Sequence, residues 1–476
     1  MNDSRTFKRR TFRLTLVATL GGLLFGYDTA VVSGTVGSLQ HYFIAPLHLS
    51  VDSGSSLLGF AVSSALIGCI IGSLLSGIVN NRLGRRRTML LSAILFLISA
   101  IGSAMPEIFF AKIGDASGSF LPNFIVYRII GGLGVGLASM TSPAYIAEIV
   151  PSRVRGKLVA LNQFAIIFGI LVSYFVNYFI ASLGDLAWIN SIGWRWMFAV
   201  EGVPAILFFI LLFFVPESPY WHIQKGFTKK ALKTLYSLSP PERAKEHVTE
   251  INKSMHHTTS KLLSYGWYVI IIGVIINIAQ QLSGINIVLY YAPVIFGNLG
   301  DSVQSSLLAT AVLGVVNLLF TVVSMYTVDK FGRRVLLIIG SAIMCVSLVV
   351  LGLAFSFKSM GFLPLSMLFL YIIGFAISWG PVAWVLNSEL FPSKIRNKAL
   401  SVVIAIQWVF NYLVSSTFPF LNENEYLVRH FNHGFSFWIY GFFTFLALLF
   451  AIFMLPETRR KSLEEIEAIW LKRKKK

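Results

Sequence analysis

Charge is scarce in this chain: 13% of its 476 residues are Asp, Glu, Lys or Arg, about half the share of a soluble protein. Acid is the rarer sign, with 21 acidic residues against 39 basic ones. Cysteine is nearly absent. Cys69 and Cys345 sit in separate apolar runs without metal-ligand spacing, which argues against a disulfide framework and for two small buried apolar residues. The eight histidines are scattered, and His256–His257 stands in a polar segment without further ligands, so no metal site is expected. No nucleophile–base pair or nucleotide loop occurs in a plausible place. Neither an enzyme nor a cofactor is expected.

Apolar sequence is what the chain has in excess. It is 55% hydrophobic and 14% aromatic, with mean hydropathy +0.73. Apolar runs of 18 or more residues mark membrane-spanning helices. The first run holds an acid, lacks a small-residue cleavage site and leads straight into the rest, so it reads as a span and not a signal peptide. The net charge of +18 raises the question of nucleic acid, and its distribution answers it. Lys and Arg gather at 5–13, 82–87, 153–157, 225–261, 330–334, 394–398 and 459–476, which together hold 34 of the 39. An even number of apolar runs separates each cluster from the next. That is the positive-inside pattern, which places both termini in the cytoplasm and directs the basic charge at lipid headgroups.

The runs number twelve, near 12–38, 55–79, 89–106, 122–148, 157–181 and 195–215, then 266–297, 304–328, 335–356, 363–390, 399–420 and 436–455. Three motifs repeat in order at nearly one offset. "NRLGRRR" at 81–87 returns as "DKFGRRV" at 329–335, "EIVPSRVRGK" at 148–157 as "ELFPSKIRNK" at 389–398, and "VPES" at 215–218 as "LPET" at 455–458. Duplication of a six-helix unit explains them, and such pairs bind substrate near mid-membrane between the halves and work by alternating access. The expected fold is all-α. It has an N-terminal bundle at 1–216, a cytoplasmic linker with short helices at 217–264, a C-terminal bundle at 265–456 and a tail with a short helix at 457–476.

Two groups of polar residues lie inside these runs. Asp28, Arg128 and Glu201 are ionisable, and ionisable groups within a membrane are costly and commonly functional. For Glu201, six residues from Arg195, a structural ion pair or an interface position stays open. The second group is amide-rich: Gln163, Gln280, Gln281, Asn286, Asn317 and Gln407, accompanied by Phe25, Tyr290, Trp384 and Trp408. Neutral amides both donate and accept, and aromatic rings offer flat faces, a combination suited to a polyhydroxylated ring. A lone amide would more simply bridge two helices. A set of them beside Gly284, which loosens its span, favours a binding site.

The paired G-R-R loops, the E-x-x-P-x-x-x-R motifs, "PESP", "QQLSGIN" and "PET" resemble the sugar porter family of the major facilitator superfamily. Longer strings such as "LVATLGGLLFGYDTAV" and "VYRIIGGLGVGLASM" are most similar to its bacterial proton-coupled xylose symporters. The resemblance implies a monomeric symporter that imports a pentose, D-xylose first. Gln163, Gln280, Gln281, Asn286, Trp384 and Gln407 would hold the sugar, and Phe25, Tyr290, Asn317 and Trp408 would wall it. Asp28 and Arg128 would couple the proton with help from Glu201; facilitative glucose transporters have a neutral Asn at the position of Asp28. Ile170 stands where those symporters have Gln, as in the glucose transporters, which implies relaxed pentose/hexose choice. Cytoplasmic ion-pair networks of Arg82, Arg85, Arg86, Glu148, Arg155 and Glu217, repeated as Asp329, Arg333, Arg334, Glu389, Arg396 and Glu457, would hold the outward-facing state and break on inward opening. Tyr220 and Asn397 depart from the usual Arg and Gly of those motifs. A facilitative hexose uniporter is the nearest alternative, opposed by Asp28. A sugar sensor, which would need a long tail after Glu457, is the more distant one.

Overall fold

The computed structural model describes residues 2–114, 118–150, 152–255, 262–359, 361–392, 395–459, 465–466 and 470. The pair His256–His257 and most of the expected tail helix lie outside them. Among the described residues there is no strand, and twelve helices are long and apolar enough to cross a membrane. The first six are α1 Phe7–Gly34, α2 Val51–Leu83, α3 Arg85–Ala104, α4 Leu121–Ile149, α5 Gly156–Ala181 and α6 Leu186–Leu212. The second six are α7 Trp267–Gly297, α8 Val303–Phe331, α9 Arg333–Ser356, α10 Phe362–Asn387, α11 Lys398–Glu423 and α12 Phe435–Phe453. Hydrocarbon offers no partner to a bare amide, so helices that satisfy their own backbone are the natural form of these runs.

Most limits agree with the apolar runs to within a few residues. Span α6 is the exception, starting nine residues before the expected 195. Asp185 accepts from the Trp188 amide (2.9 Å), and a π-helical turn over Ile189–Gly193 carries the helix through a stretch whose Asn, Ser and Gly read as loop.

The duplication reaches the helix ends. Ser50 and Ser302 cap α2 and α8, their hydroxyls accepting from the amides of Ser53 and Ser305. Gly84 and Gly332 end the same two helices at φ 92° and 96°. A Cβ on Gly332 would also lie 2.8 Å from the Glu457 carboxylate. Both space and dihedral therefore demand glycine there.

Two spans are interrupted. Helix α7 breaks at Gly284, φ 87°, and α10 is irregular at Ser378. Contacts between the two six-helix sets run through α2 with α11 and α5 with α8. Two hydrogen bonds link the sets at the end remote from the basic loops: Asn424 to Asp52 (3.1 Å) and the Tyr174 hydroxyl to the Leu289 carbonyl (2.8 Å). Between α6 and α7, the helices Pro219–Gln224, Thr228–Tyr236 and Pro241–Met255 bury Ala231, Leu235, Ala244 and Val248 together.

Candidate functional site

Asp28 on α1 and Arg128 on α4 are each 1% exposed. Arg128 Nη1 donates to the Asp28 carboxylate at 2.6 Å and Nη2 to the Asp28 carbonyl at 3.1 Å. Arg128 Nε has no partner, and the guanidinium lies 5.3 Å from the Phe198 ring centroid on α6. One turn further along α6, Glu201 is fully buried. Its carboxyl is within reach of Asp28, yet neither of its oxygens meets a donor. Two carboxylates and one guanidinium leave a net negative charge in an apolar interior. A proton on either acid would neutralise the trio and offer the missing donor. Cys69 and Tyr290 join Asp28 and Arg128 around a small cavity of about 10 Å³.

The amides converge from α7 and α11. Gln407 Nε2 donates to Gln280 Oε1 at 2.9 Å, while Gln280 Nε2 donates to the Trp379 carbonyl at 2.8 Å, beside the break in α10. Gln281 Nε2 also approaches Gln280 Oε1 (3.4 Å), and Asn286 donates to Gln281 across the Gly284 turn. Gln407 Oε1 and Trp408 Nε1 are left without partners. The Trp408 ring meets Phe25 at 5.6 Å between centroids, so α11 touches α1 one turn from Asp28.

The remaining predicted sugar ligands, Gln163 and Trp384, and the predicted wall residue Asn317 stand apart from this group. Gln163 and Trp384 are half-buried and Asn317 is buried; none of the three hydrogen-bonds with the amide cluster. Ile170 is 6% exposed and belongs to the apolar core, where α5 runs so close to α1 that a Cβ on Gly26 would lie 3.0 Å from the Ile170 amide nitrogen. One polar pair escaped the sequence reading. Asn277 and Asn387 exchange side-chain hydrogen bonds at 3.0 and 3.1 Å between α7 and α10. Each stands three residues from a predicted ligand, Gln280 and Trp384.

The repeated basic loops form two matching networks. Arg85 donates to Glu148 (2.8 Å) and Arg333 to Glu389 (2.8 Å) and Asp329 (2.9 Å). Glu217 accepts from the Arg85 and Arg86 amides at the start of α3, as Glu457 does from the Arg333 and Arg334 amides at the start of α9. A carboxylate seated on a helix N-terminus satisfies orphan amides and suits the dipole. Arg86 and Arg334 spend their guanidiniums on carbonyls at the ends of α6 and α12.

These networks are the ones expected to hold the outward-facing state and to break on inward opening. Arg85–Glu148 and Arg333–Glu389 each close within one six-helix set and are intact although the sets meet at the opposite end. Arg82 is exposed, and Arg396 donates to its own loop carbonyl of Phe391 (3.2 Å). The side chain of Arg155 lies outside the described ones.

A second buried ion pair was also missed. Arg195 on α6 grips Glu107 in the α3–α4 loop at 2.5 and 2.9 Å, with Tyr42 donating to the same carboxylate (2.9 Å). Burial alone would raise the Glu107 carboxyl, but hydrogen bonds from Arg195, its own backbone and Tyr42, with the Arg195 charge, hold it below the usual Glu range.

Residues 14–470 match the family model described as "Sugar (and other) transporter". The chain belongs to this sugar transporter family. It is 53% identical to the D-xylose-proton symporter of Escherichia coli (strain K12), over 96% of this chain and 95% of that one. It is 41% identical to the glucose facilitated diffusion protein of Zymomonas mobilis, over 97% and 98%. The inward open structure of the E. coli xylose transporter superposes with a TM-score of 0.87 at 51% identity, covering 97% of this chain and 100% of that one. This sugar transporter is thus an all-α, multi-pass membrane protein of the major facilitator fold, and not an enzyme.

Proposed function

We propose that the chain is a proton-coupled monosaccharide symporter that imports a pentose, D-xylose first, by alternating access in the cytoplasmic membrane. One observation carries the coupling. The buried Asp28–Arg128 pair stands beside a donorless Glu201, one turn from Phe25, whose ring touches Trp408 of the amide group. A proton on the acids loosens the grip of Arg128, and sugar on the amides changes how α11 meets α1. Those two events share one contact.

In this reading Gln163, Gln280, Gln281, Asn286, Trp384 and Gln407 hold the sugar, with Phe25, Tyr290, Asn317 and Trp408 around it. Ile170 gives one wall an apolar surface and widens the choice toward glucose. The bundles are 1–216 and 265–456, joined by the linker 217–264 and followed by the tail 457–476. Both termini and the basic loops face the cytoplasm, one chain is the working unit among membrane lipids, and nucleic acid is not a partner. Packing at the end remote from the basic loops corresponds to an inward-open state.

Facilitated hexose diffusion, suggested by the Zymomonas relative, is opposed by Asp28. A xylose pulse given to lightly buffered, de-energised cells expressing the chain separates the two. Symport alkalinises the medium as sugar enters, and sugar entry without a pH change overturns it.

A further inference from the structure

A second cavity of about 210 Å³ lies between the two halves, at the end where they are packed. The ends of α1 and α7 and the starts of α6 and α8 line it, and it opens to the outside along Gly37, Leu186 and Gly297. Each half contributes one buried hydroxyl with no hydrogen-bond partner, Ser33 (2% exposed) and Ser306 (1% exposed). Each half also contributes a glycine, Gly37 and Gly297, at which an added Cβ would meet no atom within 4 Å. The remaining wall is mostly aliphatic, as with Leu186; Ser38 and Asn190 also line it, hydrogen-bonded to each other at 3.0 Å, and so does one exposed acid, Asp301.

Buried hydroxyls without partners are uncommon, and their preferred complement is a group that both donates and accepts. A mostly aliphatic wall with two unpartnered hydroxyls, its Ser38 bonded to Asn190, offers too few partners for a sugar, whose every hydroxyl needs one. The volume is below the roughly 300–1,000 Å³ of drug-sized sites, and the acid disfavours anions. We infer that this cavity is a regulatory site for a small uncharged alcohol with an apolar body, of the size of benzyl alcohol. Because both halves line it, an occupant bridges them and favours the conformation in which they are packed here. The site is separate from the amide group, so occupancy lowers the rate of transport without competing with sugar. This consequence rests on the alternating-access reading above.

Two measurements on the full chain test it. Binding of 4-fluorobenzyl alcohol to the chain in lipid nanodiscs is read by fluorine NMR against empty nanodiscs, with 4-fluorobenzoate as the anionic control. Inhibition of xylose counterflow by benzyl alcohol is read in proteoliposomes. The expected result is saturable binding of the alcohol alone, and a reduced maximal rate at unchanged KM. Gly37→Leu and Gly297→Leu, which fill the cavity, are expected to abolish binding. Variants that still carry xylose are expected to lose the inhibition as well. Equal broadening on empty nanodiscs, or inhibition undiminished in both filled variants, is a bilayer effect and overturns the proposal. The NMR readout does not involve sugar, so failure of the transport reading is seen separately, as binding without xylose counterflow.

Discussion

Arg128 holds Asp28 twice, through the carboxylate at 2.6 Å and through the backbone carbonyl at 3.1 Å. The second bond does not depend on the charge of the acid. Neutralising Asp28 therefore leaves Arg128 partly anchored, a geometry suited to a proton that comes and goes without collapse of the helix contact.

Replacing Asp28 by Asn keeps the shape and removes the proposed proton site. The variant is expected to exchange labelled xylose across proteoliposomes at equal concentrations, yet to concentrate none under an inward proton gradient. Counterflow and gradient-driven uptake on one preparation check this.

Glu201→Gln places an amide where two oxygens lack donors. A hydrogen bond to a charged acceptor contributes about 1.5–3 kcal/mol. The variant is expected to melt at a temperature no lower than the parent's and to transport more slowly, because the acid pair can no longer take up the proposed proton. Thermal unfolding in detergent and initial uptake rates report the two effects.

Gln280 accepts from Gln407 and Gln281 and donates to the Trp379 carbonyl. Its replacement by Ala removes a proposed sugar ligand and loosens its neighbours. Xylose binding by calorimetry is expected to weaken by tenfold or more, about 1.4 kcal/mol or above. Gln407→Ala, with one bond to the cluster, is expected to weaken it less.

The Glu107–Arg195 pair predicts stability at the face opposite the basic loops. Arg195→Met strands a buried carboxylate and is expected to cost about 3–5 kcal/mol. Glu107 is held below its ordinary value, so its contribution is present above the unfolded value of about 4.3 and is lost as pH falls through the folded one. Glu107→Gln is expected to remove that acid limb from the melting temperature profile.

Gly332→Ala forces a Cβ onto the Glu457 carboxylate at a dihedral that L residues avoid. Such backbone placements cost about 1–3 kcal/mol. The melting temperature is expected to fall while xylose affinity stays unchanged.

The architecture was legible because lipid permits few solutions. Twelve apolar runs, the sign of the charge between them and three repeated motifs determine the helix count and the duplication. Asp28, Arg128 and Glu201 stood out for the same reason, being charges where charge is costly. Their mutual contact was another matter, since a hundred residues separate Asp28 from Arg128 and no periodicity reports which helix faces which. Glu107 escaped notice because it lies in a loop, where an acid is unremarked. Asn277 and Asn387 read as two more amides, since only the packing of α7 on α10 makes them a pair. The basic-loop motifs were legible by half because they repeat, and the pairs Arg85–Glu148 and Arg333–Glu389 follow that grouping.

The central claim is that sugar entry is driven by protons. Wild-type proteoliposomes given an inward proton gradient are predicted to accumulate labelled xylose above the external concentration and to lose that excess when a protonophore is added. Uptake that stops at the external concentration, with or without the gradient, would contradict it.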